Sequence, residues 1–274
     1  MDIKKAIQQR KELKTFNSTY QSNVKLTESQ KIKAMHDYEK INELVKLFYS
    51  LNSDNYLDKK MQDIIQEYII AVISKNPNAM YIEPIKTRET IGLLALKWGL
   101  YNVVKHILAD KTGATIKDDY GNNLGANCAL AHKEDLVIES LKNPYARTQK
   151  CMWGRTIGMF AAEECLHHAT EKALTYPDAS IQQNCNGHNI GMICAMKIKD
   201  DRRMANLVSI AFQNPIARSQ KSLKGDTIES LSKQNNYDTD LLYDIETIGN
   251  IDIDRQLIAF RNELEEKFNI QLSN

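Results

Sequence analysis

Four glycines, Gly92, Gly125, Gly158 and Gly191, recur at an interval of 33 residues, and that interval constrains the fold more than any other feature of the chain. Two positions before each stands Thr90, Asn123, Thr156 or Asn189, and one before stands Ile91, Leu124, Ile157 or Ile190. Three positions after comes Ala95, Cys128, Ala161 or Cys194, followed by Leu96, Ala129, Ala162 or Ala195. The upstream glycines Gly121, Gly154 and Gly187 keep the same phase. Units of equal length that each bury a face against a neighbour stack into a solenoid.

The columns have physical meaning. Thr or Asn after a turn glycine reads as an N-cap, whose side-chain oxygen accepts a first-turn N–H. The small residues let neighbouring helices approach closely. A second helix follows in each unit. Val103, Val104, Ile107 and Leu108 have the spacing of a buried stripe, as do Leu136, Val137 and Leu141. In the fourth unit the stripe, Leu207, Val208, Ala211 and Phe212, is displaced by about five residues. Between units runs a second motif: Asn76-Pro77-Asn78-Ala79, Asn143-Pro144-Tyr145-Ala146, Pro177-Asp178-Ala179 and Asn214-Pro215-Ile216-Ala217. The proline reads as a helix stop. Gln149, Gln182 and Gln220 follow it at fixed distance and are expected to bridge adjacent loops. Gly225-Asp226-Thr227-Ile228 restarts a fifth, degenerate unit, as a terminal repeat facing water would.

These motifs resemble the ankyrin repeat family, whose period is also 33 residues. The segment Gly92–Ala114, with Gly99 between its two helices and Gly121-Asn122-Asn123 after it, carries the likeness, which extends over 76–235. Ile or Leu stands where that family has proline, and Leu93, Ala126, Met159 and Met192 stand where it has histidine, so its Thr–His hydrogen bonds are not expected here. The resemblance implies an all-α solenoid of helix-pair repeats, four plus one degenerate, that binds another protein on a concave face. The partner-facing positions it implies are Lys97, Trp98, Asp119, Tyr120, Asn122, Met152, Trp153, Arg155, Glu163, Glu164, Cys185, Asn186, His188, Met196 and Lys197. Trp, Tyr and Arg are enriched at binding hot spots. Trp98 has a competing reading as a stacked core residue, whereas Trp153 sits in a loop directly before a glycine.

Residues 1–75 lack the repeat and read as an N-terminal helical cap. Thr27 and Gln30 form a capping-box pair ahead of a helix carrying Ile41, Leu44, Val45 and Phe48. A second helix carries Met61, Ile64, Ile65, Tyr68, Ile69 and Val72. Residues 236–274 are expected to form a C-terminal cap, with a last helix from about Asp252 to Phe268.

Lys+Arg of 36 against Asp+Glu of 35 leaves a net charge of +1, which disfavours a nucleic-acid partner. The longest apolar stretch, about Tyr68 to Ile73, is far short of a membrane span of roughly 20 residues. Five cysteines without paired spacing read as reduced thiols in a cytoplasm, and no signal peptide is apparent at the start. No cofactor motif is present, and a monomer is expected. The enzyme alternative places a site at Cys165, His167 and His168, beside Glu163 and Glu164. Adjacent histidines on a helix point about 100° apart and rarely share an ion, so exposed turn residues are the plainer reading. Cys185 and His188 have the spacing of half a zinc site without its complement. The acidic run Glu263–Glu266 resembles the tail signal of some bacterial type IV secretion substrates, which would make the protein an effector delivered into a host cell. A solvated helix face is the competing reading of that run.

Overall fold

The computed structural model describes residues 26–53, 59–82, 89–151 and 153–235; among them there is one isolated antiparallel bridge, Lys117 to Asn123, and no strand. The first two helices, α1 (Glu28–Ser53) and α2 (Lys59–Lys75), pack as a hairpin. Two helix pairs follow, α3 (Ile91–Lys97) with α4 (Tyr101–Ala109) and α5 (Leu124–Leu130) with α6 (Glu134–Leu141). The one-turn helix α7 (Pro144–Thr148) then leads to α8 (Ile157–Glu163) and α9 (His167–Leu174). After α10 (Pro177–Ser180) come α11 (Ile190–Lys197) and α12 (Met204–Phe212), then α13 (Pro215–Ser219) and the terminal α14 (Ile228–Gln234).

The first helices of successive units, α3, α5, α8, α11 and α14, pack side by side as an inner row. The second helices, α4, α6, α9 and α12, form an outer row behind them. The expected stripes Val103, Val104, Ile107 and Leu108, then Leu136, Val137 and Leu141, then Leu207, Val208, Ala211 and Phe212, are all buried between the rows. The glycine column sits where helices nearly touch. A Cβ on Gly125 would lie 2.5 Å from Ser140 Oγ and 2.6 Å from Ile157 Cδ1. Cys128 and Cys194 are buried core residues, as their column requires.

The turn from inner to outer helix repeats too. Gly99, His132 and Cys165, 33 residues apart, all take left-handed backbone, with φ of 74°, 52° and 55°. The following N–H in each case, at Leu100, Lys133 and Leu166, bonds back to the carbonyl of Ala95, Cys128 and Ala161 at 2.8 to 2.9 Å. That is the closing bond of a Schellman-type helix end. Glycine meets this geometry without strain; histidine and cysteine hold it at a cost of about 1 kcal/mol or more. The fourth unit escapes the requirement through its five extra residues.

Three expectations need correction. The inter-unit prolines do not merely stop a helix: each is the first residue of a further helical turn, 3-10 at Pro77–Tyr81 and α7, α10 and α13 afterwards. Proline suits that position because its missing N–H would be unpartnered there anyway. Asn143 and Asn214 cap these turns by accepting from the two N–H groups beyond the proline. Second, Thr90, Asn123 and Asn189 cap their helices, but Thr156 does not, and its buried hydroxyl has no partner. Third, Gln149 and Gln220 bridge neighbouring units, but Gln182 turns back to Asp178 O in its own turn.

The N-terminal hairpin is a stretched repeat. Its α2 packs on α4 as one more outer helix, and its α1 packs on α3 as one more inner helix. Pro77–Tyr81 supplies its third turn. The expected capping box is present, with Thr27 N–H donating to Gln30 Oε1 at 2.8 Å. Ile41, Val45, Phe48 and Ile69 are buried as expected, whereas Met61, Ile64 and Tyr68 face outward. Residues 1–25, Met152 and 236–274, including the expected last helix and the acidic run Glu263–Glu266, lie outside the described residues.

Candidate protein-binding face

Four inner helices, α5, α8, α11 and α14, are each entered through a tight hairpin whose tip projects from the stack. The hairpins start at Asp118, Cys151, Asn184 and Ser222 and close through Gly121, Gly154, Gly187 and Gly225, all with φ between 70° and 85°. Asp118 Oδ1 accepts from the N–H groups of Tyr120 and Asn122, and Asn184 Oδ1 accepts from those of Asn186 and His188. Ser222 Oγ does the same for Lys224 and Asp226. Cys151 has no oxygen to offer. Neighbouring tips are joined through backbone, Cys185 N–H to Trp153 O at 3.0 Å and Leu223 N–H to Asn186 O at 2.9 Å. This framework holds Tyr120 at 72% and Trp153 at 60% exposure on successive tips, followed in the same column by Asn186 and Lys224.

The other expected contact residues differ in availability. Asp119, Cys185 and Asn186 are exposed. Asn122 is only 8% exposed; its N–H and C=O both serve the hairpin, so its side chain adds little surface. Arg155 is half-buried, with Nη1 2.7 Å from Glu163 Oε2 and its guanidinium 4.2 Å from the centre of the Phe160 ring. Its Nε is buried without a partner. Glu164 lies 3.4 Å from His132 Nε2, and Lys197 lies 3.5 Å from Asp200. Burial, the largest influence, pushes the His188 imidazole down. Trp98 is half-buried against the core, with Lys97 Nζ 5.6 Å from its ring centre.

The tips and the inner helices enclose a groove of about 820 Å³ between the first two units. Leu93, Leu96, Leu130, Tyr101 and Tyr120 form its apolar wall, and Asp118, Asp119 and Glu89 contribute the acids. Sequence reasoning missed the three leucines. The signal was available, since Leu93, Leu96 and Leu130 fall on the inner helices away from the buried stripe.

The arrangement at Cys165, His167 and His168 does not build nucleophilic chemistry. Cys165 is a turn residue, and burial, the largest influence, pushes its thiol up, away from the thiolate that attack requires. His168 is exposed, and His167 Nε2 lies 2.9 Å from Asp201 Oδ2, at an angle short of a hydrogen bond. Asp201 is in turn held by Arg203, whose hydrogen bonds set its carboxyl at about 2. Among the described residues no three His, Cys, Asp or Glu side chains are grouped to hold a metal ion. No described helix is long and apolar enough to cross a membrane.

No protein-family model and no curated protein matches the sequence. Two solved structures are similar. One is an ankyrin repeat domain from Acinetobacter baumannii AYE, 12% identical, with a TM-score of 0.49, covering 64% of this chain and 89% of that one. The other is the ankyrin repeat protein EF0377, 13% identical, with a TM-score of 0.49, covering 66% of this chain and 94% of that one. The 33-residue helix pairs, the left-handed turn between them and the projecting glycine hairpins carry the likeness within this structure itself. The fold is an ankyrin-like α-solenoid. In this solenoid the pairs Asn123–Gln149 and Asn189–Gln220 join neighbouring units.

Proposed function

We propose that the protein is a non-catalytic binding scaffold whose partner, another protein, lies along the hairpin tips and inner helices. The observation that carries this reading is the placement of Tyr120 and Trp153, both exposed, on adjacent tips, with Tyr120 beside an apolar groove. Rigid aromatics with few torsions lose little entropy on contact, and such residues dominate binding energy. Trp98 adds a half-buried aromatic surface, and Arg155, Glu163, Glu164 and Lys197 form the polar rim of the contact. Asp119, Asn186 and His188 extend the contact to both sides, and Met152 belongs to the same set by its place in the repeat. Trp153→Ala and Tyr120→Ala are expected to leave stability within about 0.5 kcal/mol. Each is expected to weaken partner capture by about tenfold or more, as an anchor worth at least 1.4 kcal/mol requires. Quantitative affinity capture with wild type and both variants in parallel checks this. A protein retained equally by all three is not bound through these tips, and if every captured protein behaves so, the reading fails.

The cellular setting is part of the same proposal. Free thiols fit a reducing cytoplasm. The acidic run Glu263–Glu266 supports delivery into a host cell by a bacterial secretion system. A translocation reporter fused to the full chain, compared with a Glu263→Ala, Glu265→Ala, Glu266→Ala variant, tests it: equal delivery of both removes the role of the run.

A further inference from the structure

With the hairpin tips as one wall and the row of inner helices as floor, the face is a trough that runs along the stack. Two columns of the repeat border its floor. One leaves each hairpin: Glu89, Asn122, Arg155 and His188. The other stands in the last turn of each inner helix: Lys97, Leu130, Glu163 and Met196. In unit one Lys97 Nζ meets Glu89 Oε1 at 3.1 Å. In unit three Arg155 Nη1 meets Glu163 Oε2 at 2.7 Å, with acid and base exchanged between the columns. Either polarity closes the same bridge, and partly exposed bridges of this kind contribute little to stability. Folding therefore leaves the choice of sign open. Between these bridges, unit two has Asn122, buried in its hairpin, and Leu130, 44% exposed. Unit four has no fixed charge in either column. Charges close by are engaged elsewhere. Asp118 accepts within its own hairpin and from Asn127, Glu164 lies against His132, and Lys197 lies against Asp200.

The partner that fits this pattern is an α-helix laid along the trough. Packed helices lie about 8–10 Å apart, and two turns of α-helix rise about 10.8 Å over about seven residues. Residues that far apart on a partner helix therefore return the same face to successive units. The floor beneath it is side chain. Leu93, Leu96 and Leu130 offer no donor or acceptor, and the described residues include no strand whose edge could pair with an extended peptide. A helix satisfies its own backbone and needs neither. We propose that the partner presents an amphipathic helix of about three heptads, with its apolar stripe on these leucines and a charged flank on each side. The flank toward the hairpins is basic at unit one and acidic at unit three, and the flank toward the inner-to-outer turns is the reverse. Such a code fixes the direction in which the helix lies and rejects one that is uniformly basic or acidic.

This rests on the binding reading and names the partner that the face accepts. The probe is a yeast-displayed library of amphipathic helical peptides of about three heptads, sorted on the full chain. Its apolar stripe is fixed, and each flank position is Lys, Glu or Ala. The expected pool has flank charges that change sign between the two ends of the peptide. Peptides with those charges exchanged bind the wild-type chain at least tenfold more weakly. A Glu89→Lys, Lys97→Glu double variant keeps the net charge, and its helical circular dichroism is expected to be retained. It also loses at least tenfold, and exchanging the charges at one end of the peptide restores binding to it. No enrichment, a pool whose flanks show no change of sign, or equal binding before and after the exchange would overturn the proposal. A pool lost on Trp153→Ala but indifferent to both exchanges overturns the charge code and leaves the tip reading standing. A pool that reads the charges and ignores Trp153→Ala and Tyr120→Ala upholds the code and removes the tip reading.

Discussion

Asn123 and Thr156 occupy the same column one unit apart, yet removing them has opposite consequences. Asn123 Oδ1 caps α5 by accepting from Ala126 N–H at 2.9 Å, and its Nδ2 donates to Ala146 O at 3.1 Å and to Gln149 Oε1 at 3.0 Å. Gln149 Nε2 continues to Thr115 O at 2.9 Å, so three segments meet on one amide. Asn123→Ala loses the cap, about 1 kcal/mol. It also takes one of two donors from the buried Ala146 carbonyl, which keeps the Gln149 N–H at 3.2 Å, about 1 kcal/mol more. Gln149 is half-exposed and recovers water, so the total is about 2 kcal/mol. The Thr156 hydroxyl makes none of these bonds and is buried without a partner. Thr156→Val keeps the shape and removes an unsatisfied polar group, so it is expected to be neutral or stabilising by up to about 1 kcal/mol. Urea unfolding followed by circular dichroism separates the two. With a slope of about 3 kcal/mol per molar, Asn123→Ala lowers the midpoint by about 0.7 M and Thr156→Val does not lower it. A Gln149→Ala cycle with Asn123→Ala should show coupling of about 1 kcal/mol. Equal losses at Asn123 and Thr156 would refute the argument that these amides bolt the units together.

Two further outcomes follow from packing and burial. Gly191→Ala brings a Cβ within 2.6 Å of Ala211 Cβ, which is fixed to a neighbouring helix, and is expected to destabilise by about 2 kcal/mol. Gly92→Ala meets the flexible end of Leu124 at 2.9 Å and, gaining helix propensity, is expected to cost less than 1 kcal/mol or to stabilise, as paired thermal melts would show. Burial pushes the Cys128 thiol up to about 12 and raises that of Cys194 as well, so neither should react with Ellman's reagent at pH 8 until the chain unfolds. Exposed Cys185 should react first, and a native stoichiometry that includes Cys128 or Cys194 would show the inner row to be loosely packed.

The stacked architecture was legible because its determinants are periodic. A small residue is needed wherever helices touch, and a cap wherever one starts, so Gly125, Gly158, Asn123 and Asn189 announce themselves. The turn column was not legible past Gly99, because His132 and Cys165 are residues that avoid left-handed backbone; the helix-closing bond imposes it on them. The one-turn helices were hidden behind their prolines, since the same residue that ends one helix favours the first position of the next. At the proposed binding face, Tyr120 and Trp153 could be placed on the hairpin tips by register alone. The burial of Asn122 and the pinning of Arg155 on Phe160 and Glu163 could not, because both depend on what lies across the loop.

Unit three differs from its neighbours in a way that bears on the proposed binding face. Its hairpin starts at Cys151, where Asp118 and Asn184 stand in the adjacent units. Those oxygens accept two hairpin N–H groups each, and the thiol does not. The same unit contains the uncapped Thr156 and the unpartnered Arg155 Nε. Fewer satisfied polar groups make a segment open more readily. The hairpin without these side-chain bonds is thus the one that carries Trp153, the larger of the two exposed tip aromatics. Native proteins tolerate such local conflict chiefly where function requires it. Each missing bond to a carboxylate or amide oxygen is worth about 1 kcal/mol, or about fivefold in an opening equilibrium. The amides of Trp153 and Arg155 should therefore exchange with deuterium at least about fivefold faster, after correction for intrinsic rates, than those of Tyr120 and Asn122. Partner binding should close that gap. If 153 and 155 are as protected as 120 and 122 in the free protein, the hairpin is as rigid as its neighbours, and its missing oxygen has no bearing on recognition.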